Sequence, residues 1–149
     1  MLPILDGEVT LKEMIVPTVP SGTAGATNGS AVDLLGYNGR ALVLVSALSA
    51  GAGNTMKIEI QTDSSSSFNS GSQAMIPLYD QGKTTSVLSF TTAAATAMLK
   101  VYSIDINACM RYVRCIFTSA GTTIVGAVHA VAALPGHRVL GPSGPGTTS

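Results

Sequence analysis

The stretch Met56-Lys57-Ile58-Glu59-Ile60-Gln61-Thr62 decides the fold. Successive side chains of a strand point to opposite faces, so Met56, Ile58 and Ile60 share one side and Lys57, Glu59 and Gln61 the other. One side meets a core and the other meets water, the pattern of an antiparallel sheet wetted on one face. The same alternation, with β-branched residues, recurs in short runs along the chain, and helical periodicity is almost absent.

Upstream, Ala31–Tyr37 and Arg40–Leu48 flank Asn38-Gly39, the pair best suited to the two positive φ angles of a type I′ turn, so a hairpin is expected there. Arg40–Leu48 carries Leu42, Val43, Leu44 and Val45 in succession, which suits a central strand covered on both sides. Downstream, Gln73–Tyr79 and Thr84–Thr92 flank the turn Asp80-Gln81-Gly82, and Pro77 makes the first of them an edge or bulged strand. Ala97–Ile106 and Arg111–Thr118 alternate again, and Ser119-Ala120-Gly121 leads into Thr122–Ala133 as a further expected hairpin. With Val9–Val16 this predicts an all-β chain: an antiparallel β-sandwich, jelly-roll-like, of about eight strands.

The 149 residues suit a single β-sandwich domain with a core that needs no disulfide or metal. Residues 1–30 read as an N-terminal strand and arm, with Pro17–Ser30 rich in Gly, Thr and Pro. Residues 134–149 read as a C-terminal arm with four Gly and three Pro.

Hydrophobic residues make up 46% of the chain and charged residues 11%, against roughly 25% charged in an average soluble protein. A folded monomer of this mass exposes about 7,000 Å². Each charge then serves about 440 Å², compared with roughly 190 Å² at average composition. Such a neutral surface invites protein partners. Eight basic and eight acidic residues cancel, so no overall field recruits nucleic acid or an anionic membrane. Met1–Leu5 does not read as a secretory signal, and the apolar run Ala41–Ala52 is too short and interrupted to cross a bilayer. A soluble protein made in the cytoplasm is the expectation.

Chemistry-bearing clusters are sparse. Nucleophile-elbow, zinc-protease, phosphate-loop and Cys-x-x-Cys signatures are all missing from the sequence. His129 reads as a wet-face or interface histidine, and His137 as a contact residue without a second metal ligand at recognisable spacing. Asp63 before Ser64-Ser65-Ser66-Ser67 supplies one carboxylate, too few for calcium, and the segment reads as a flexible hairpin tip closed by Phe68. Asp6, Glu8 and Glu13 are too dispersed for an acid/base pair. Arg111 and Arg114 fall on opposite faces of a strand, as ion-pair or interface groups. Cys109 and Cys115 read as reduced thiols, with Cys115 packed as a small apolar residue. Asn28-Gly29-Ser30 matches a glycosylation sequon and reads as a turn. An enzyme is therefore not expected.

Ala31-Val-Asp-Leu-Leu-Gly-Tyr37, Arg40-Ala-Leu-Val-Leu-Val-Ser-Ala47, Met56–Phe68 and Arg111–Thr122 together resemble the small β-sandwich capsid decoration, or cement, proteins of tailed bacteriophages. The resemblance spans roughly Ala31–Ala133 and implies a virion structural protein on the outer capsid surface. Its implied partners are the major capsid protein and other copies of itself, as a dimer or trimer, and it implies no cofactor. Look-alike sequences often carry several acidic residues and an aromatic after the strand equivalent to Met56–Thr62, where this chain has Asp63, four serines and Phe68. The expected contacts are sheet edges and the chain's end segments, with Leu2, Ile4, Leu5, His137, Arg138, Val139 and Leu140 as candidates. Another tail, neck or baseplate component and a carbohydrate-binding sandwich are the rival readings.

Overall fold

A computed structural model describes residues 9–18, 25–49, 55–80, 83–85, 88–91, 96–120 and 128–135. Twelve strands run through them: β1 (Thr10–Thr18), β2 (Gly25–Asn28), β3 (Val32–Asp33), β4 (Arg40–Ser49), β5 (Thr55–Asp63), β6 (Ala74–Ile76), β7 (Leu78–Asp80), β8 (Lys83–Thr85), β9 (Leu88–Thr91), β10 (Thr96–Asp105), β11 (Tyr112–Ala120) and β12 (Val128–Leu134). One 3-10 turn, Ile106–Ala108, is capped by the Asp105 carboxylate, which accepts from Asn107 N at 3.0 Å.

The first sheet has the order β1-β12-β4-β10-β7-β8 and the second β2-β11-β5-β6, with β3 also on β11 and β9 also on β5. All described pairings are antiparallel. The pairs are nested: β1 with β12, β2 and β3 with β11, β4 with β10, β5 with β6 and β9. A long hairpin folded over into two sheets gives this nesting, and it is the jelly-roll arrangement. Taking β2 with β3, β6 with β7 and β8 with β9 as single broken strands gives nine, close to the expected count of about eight.

The breaks have physical causes. Pro77 cannot donate to a ladder, and there the chain leaves β6 in the second sheet for β7 in the first. Asp80 pairs with Lys83, flanking the turn expected at Asp80-Gln81-Gly82, of which Gln81 and Gly82 lie outside the described residues, and β9 then lies back along β5. This one hairpin thus belongs to both sheets.

Two expected hairpins do not form. Gly39 adopts a positive φ of 84°, yet β3 pairs with β11 and β4 with β12 and β10, so the turn carries the chain between sheets. β11 and β12 likewise lie in opposite sheets. Ala31–Tyr37 yields only the two residues of β3 as strand. Within the stretch expected as an arm, Gly25–Asn28 is β2 and pairs with Ile116–Ser119.

Gly29 joins the sheets at this corner. Its N–H donates to Cys115 O at 2.8 Å and the neighbouring Ser30 N–H to Met14 O at 2.6 Å, linking β11 and β1 across the sandwich. A Cβ on Gly29 would run into Met14 O and lie 2.8 Å from Cys115 O.

The core comes from the inward faces: Met14, Ala41, Val43, Val45, Ile104, Val128, Ala130, Ala132 and Leu134 of one sheet, against Ile58, Ile60, Val113, Cys115 and Phe117 of the other. Thr62 is buried among them with its hydroxyl satisfied, donating to Tyr112 O at 2.9 Å and accepting from Met110 N at 2.8 Å. Both cysteines are free, with Cys115 buried as expected. Gly29→Ala is expected to cost about 3 kcal/mol, as overpacking against unyielding backbone does, and to lower Tm by roughly 10 °C in a thermal unfolding scan.

Candidate functional site

The outward face of the first sheet is apolar. Register places Leu11, Ala133, Leu42 and Ser103 in one row, and Glu13, Val131, Leu44 and Val101 in the next. A third row holds His129, Ser46 and Leu99, with Val16 exposed beside it on β1. Five of the seven exposed large apolar side chains among the described residues, Leu11, Val16, Leu42, Leu99 and Val101, lie on this face. Leu99 is 68% and Leu11 65% exposed, so water covers what its neighbours do not. A depression of about 230 Å³ lies between Leu11, Leu44, Ser46, Leu99, His129 and Val131.

Polar groups border this surface. Glu13 Oε1 stands 3.6 Å from His129 Nε2, an ion-pair distance when the imidazole is protonated, and that buried nitrogen makes no hydrogen bond. At the far corner Arg40 lies 4.8 Å over the Tyr79 ring and donates to Ser103 Oγ at 3.3 Å. An apolar centre with a polar margin is the anatomy of a protein interface.

The outward face of the second sheet is polar and internally paired. Lys57 Nζ meets Glu59 Oε1 at 3.3 Å. Arg114 donates from Nε to Gln61 Oε1 at 2.8 Å while its guanidinium lies 4.3 Å over Phe68. Gln61, expected on a wet face, is buried, because Arg114 and the loop after β5 cover it. Gln73 also donates from Nε2 to Phe68 O, fixing Phe68 at a φ of 53° in the left-handed region.

That loop is wound round Asp63 and does not form a loose tip. The carboxylate is screened from solvent and accepts from Ser65 N at 3.0 Å, from Ser70 Oγ and from Ser70 N at 3.5 Å. Burial pushes its pKa up, but the hydrogen bonds from Ser70, Ser65 and Ser64 outweigh burial and hold it below the ordinary value. Phe68 closes the loop and is buried, as expected.

Arg111 grips Asp33 with both arms of its guanidinium, Nη2 to Oδ2 at 2.9 Å and Nε to Oδ1 at 3.2 Å. The expected ion pair is therefore present, and the Arg111 hydrogen bond followed by that of Leu35 N lowers the Asp33 pKa. Burial pushes the Cys115 thiol up to about 12, while burial and then the Asp105 charge push Cys109 up to about 11, so neither is a ready thiolate. Among the described residues no three His, Cys, Asp or Glu side chains come together as metal ligands. No helix among them is long and apolar enough to cross a membrane.

The candidate contacts Leu2, Ile4, Leu5, His137, Arg138, Val139 and Leu140 lie outside the described residues, as do Asp6 and Glu8. The apolar sheet face was not anticipated, although its signal stood in Arg40–Leu48: Leu42 and Leu44 are the outward half of a run read as covered on both sides. No family model and no curated protein sequence matches the chain.

Asp63 gives a pH prediction. Its folded pKa is depressed, so its contribution to stability is complete above the unfolded value of about 3.9 and is lost as pH falls through the folded value. In urea unfolding between about pH 2 and 7, Asp63→Asn is expected to lower the neutral-pH midpoint and to flatten the acid limb relative to wild type.

Proposed function

We propose that the chain is a non-enzymatic structural subunit of a virion, a decoration protein that binds and stabilises the outer surface of a tailed-phage capsid. The observation that carries this reading is the apolar outer face of the first sheet, on a chain with so few charges. Monomeric proteins rarely leave a contiguous apolar patch of this kind uncovered unless it serves contact.

Two further points support it. The resemblance of Ala31–Ala133 to decoration proteins supplies the capsid, and the jelly roll is an architecture that viral capsid and lectin domains share. Fold alone does not assign function, so the apolar face carries more than the topology. Repeated weak contacts on a symmetric shell would add through effective concentration. The carbohydrate-binding rival expects rings open to sugar stacking. Among the described side chains Phe68, Tyr102 and Phe117 are buried, and Tyr37, Tyr79 and Tyr112 are half-buried.

Image reconstruction of particles assembled with and without the chain tests the proposal. Jelly-roll-sized density repeated over the outer shell, and lost from particles lacking the chain, is the expected result. Density confined to the tail, neck or baseplate would transfer the reading to that rival. Saturable binding of the isolated chain to defined glycans, with no particle density, would transfer it to the carbohydrate-binding one.

A further inference from the structure

We infer that Asn38, at the joint before β4, is a site of spontaneous covalent modification: the Gly39 backbone nitrogen closes on the Asn38 side chain, and the folded chain acquires an aspartyl or isoaspartyl residue there. This goes beyond the assembly reading and does not depend on it.

The dipeptide supplies both reacting groups. Hydroxide takes the proton of the Gly39 N–H, and the nitrogen attacks Asn38 Cγ. A new N–Cγ bond forms as the bond from Cγ to the side-chain nitrogen breaks, and that nitrogen leaves as ammonia after taking a proton from water. Water then opens the five-membered imide. Opening at the new Cγ–N bond gives an aspartyl residue, and opening at the main-chain carbonyl gives an isoaspartyl one. Nothing is oxidised or reduced. Glycine hinders the closure least, because it carries no side chain and turns freely.

The sequence holds two such pairs, Asn28-Gly29 and Asn38-Gly39, and both asparagines are exposed. The fold sets them apart. Asn28 ends β2 opposite Ile116, which holds its backbone extended, and the Gly29 N–H donates to Cys115 O at 2.8 Å. Ring closure there would break that hydrogen bond and leave the carbonyl of buried Cys115 without its donor. It would also have to turn a glycine packed against Met14 O. Asn38, by contrast, belongs to no strand. Gly39 N lies 3.5 Å from Asn107 Oδ1, at the weak limit of a hydrogen bond. A Cβ on Gly39 would meet nothing within 4 Å. The nitrogen is available and the space to turn is open.

The product bears on the fold. Gly39 O accepts from Ile106 N at 2.8 Å, and Arg40 then opens β4 opposite Asp105. An isoaspartyl link adds a methylene to the main chain at this crossing between the sheets. Either product adds one negative charge to a formally neutral chain.

Ageing the full chain in mildly alkaline buffer, folded and in urea, followed by peptide mapping with mass spectrometry, tests the inference. In the folded chain Asn38 is expected to convert at least about ten-fold faster than Asn28, the factor that one lost buried hydrogen bond supplies. In urea the two rates are expected to converge. Equal rates in the folded chain, or an Asn38 that converts only in urea or not at all, would overturn it. The aged acidic form, separated by ion exchange, is expected to melt below the unaged chain. Asn38→Asp serves as the control that carries the charge without the added methylene. An aged form that melts with the unaged chain would overturn the link to the β4 joint. Shell binding by unaged chain tests the proposed function separately, whichever way these results fall.

Discussion

The pairing of the first described strand with the last governs the rest of the structure. Thr10 lies opposite Leu134, and every other pair is enclosed within that one: Asn28 with Ile116, Ser49 with Thr96, Thr62 with Ala74. Because partners are remote in sequence, no pair of outer strands is stabilised locally. The core forms only when both sheets are in place. Such a topology has high contact order and folds slowly for its size, since loop closure precedes the contacts that reward it. The corner at Gly29 shows how tight the enclosure is, with backbone hydrogen bonds reaching from one residue pair to both β1 and β11.

Within that frame the two outward faces divide the work. The few charges of the described chain are mostly held in local arrangements: Lys57 with Glu59, Arg111 with Asp33, and each of Arg40, Arg111 and Arg114 over a ring. Exposed pairs of this kind add little stability. Their effect is to order the second sheet's outer face and the sandwich ends into finished, self-satisfied surfaces. The first sheet's outer face receives almost none of them, and its leucines and valines are left to contact.

Much of this was legible in the sequence, and the limits follow from what alternation encodes. Met56–Thr62 is β5 because its pattern depends only on which side faces the core, a local property. The antiparallel return of Leu78–Asp80 on Lys83–Thr85 was legible for the same reason. Asn38-Gly39 failed as a hairpin because a positive φ tells the chain to turn but not which sheet to join, and partner choice lies with the distant β10, β11 and β12. Gln61 looked wet because the groups that cover it, Arg114 and Phe68, come from another strand and from a loop. The apolar face escaped because it is assembled from four strands whose order no local signal states.

The hairpin from Ala74 to Thr91 has a mechanical meaning. Its β6 and β9 are bonded to β5 in one layer, and its β7 to β10 in the other. In a simple two-layer sandwich the layers meet only through side chains, and a load that slides one over the other is opposed by packing alone. Here sliding also pulls on backbone ladders at both ends of a single short segment, with Pro77 at one crossing. The layers are stitched together along one side, and the protein yields to shear only by tearing strands.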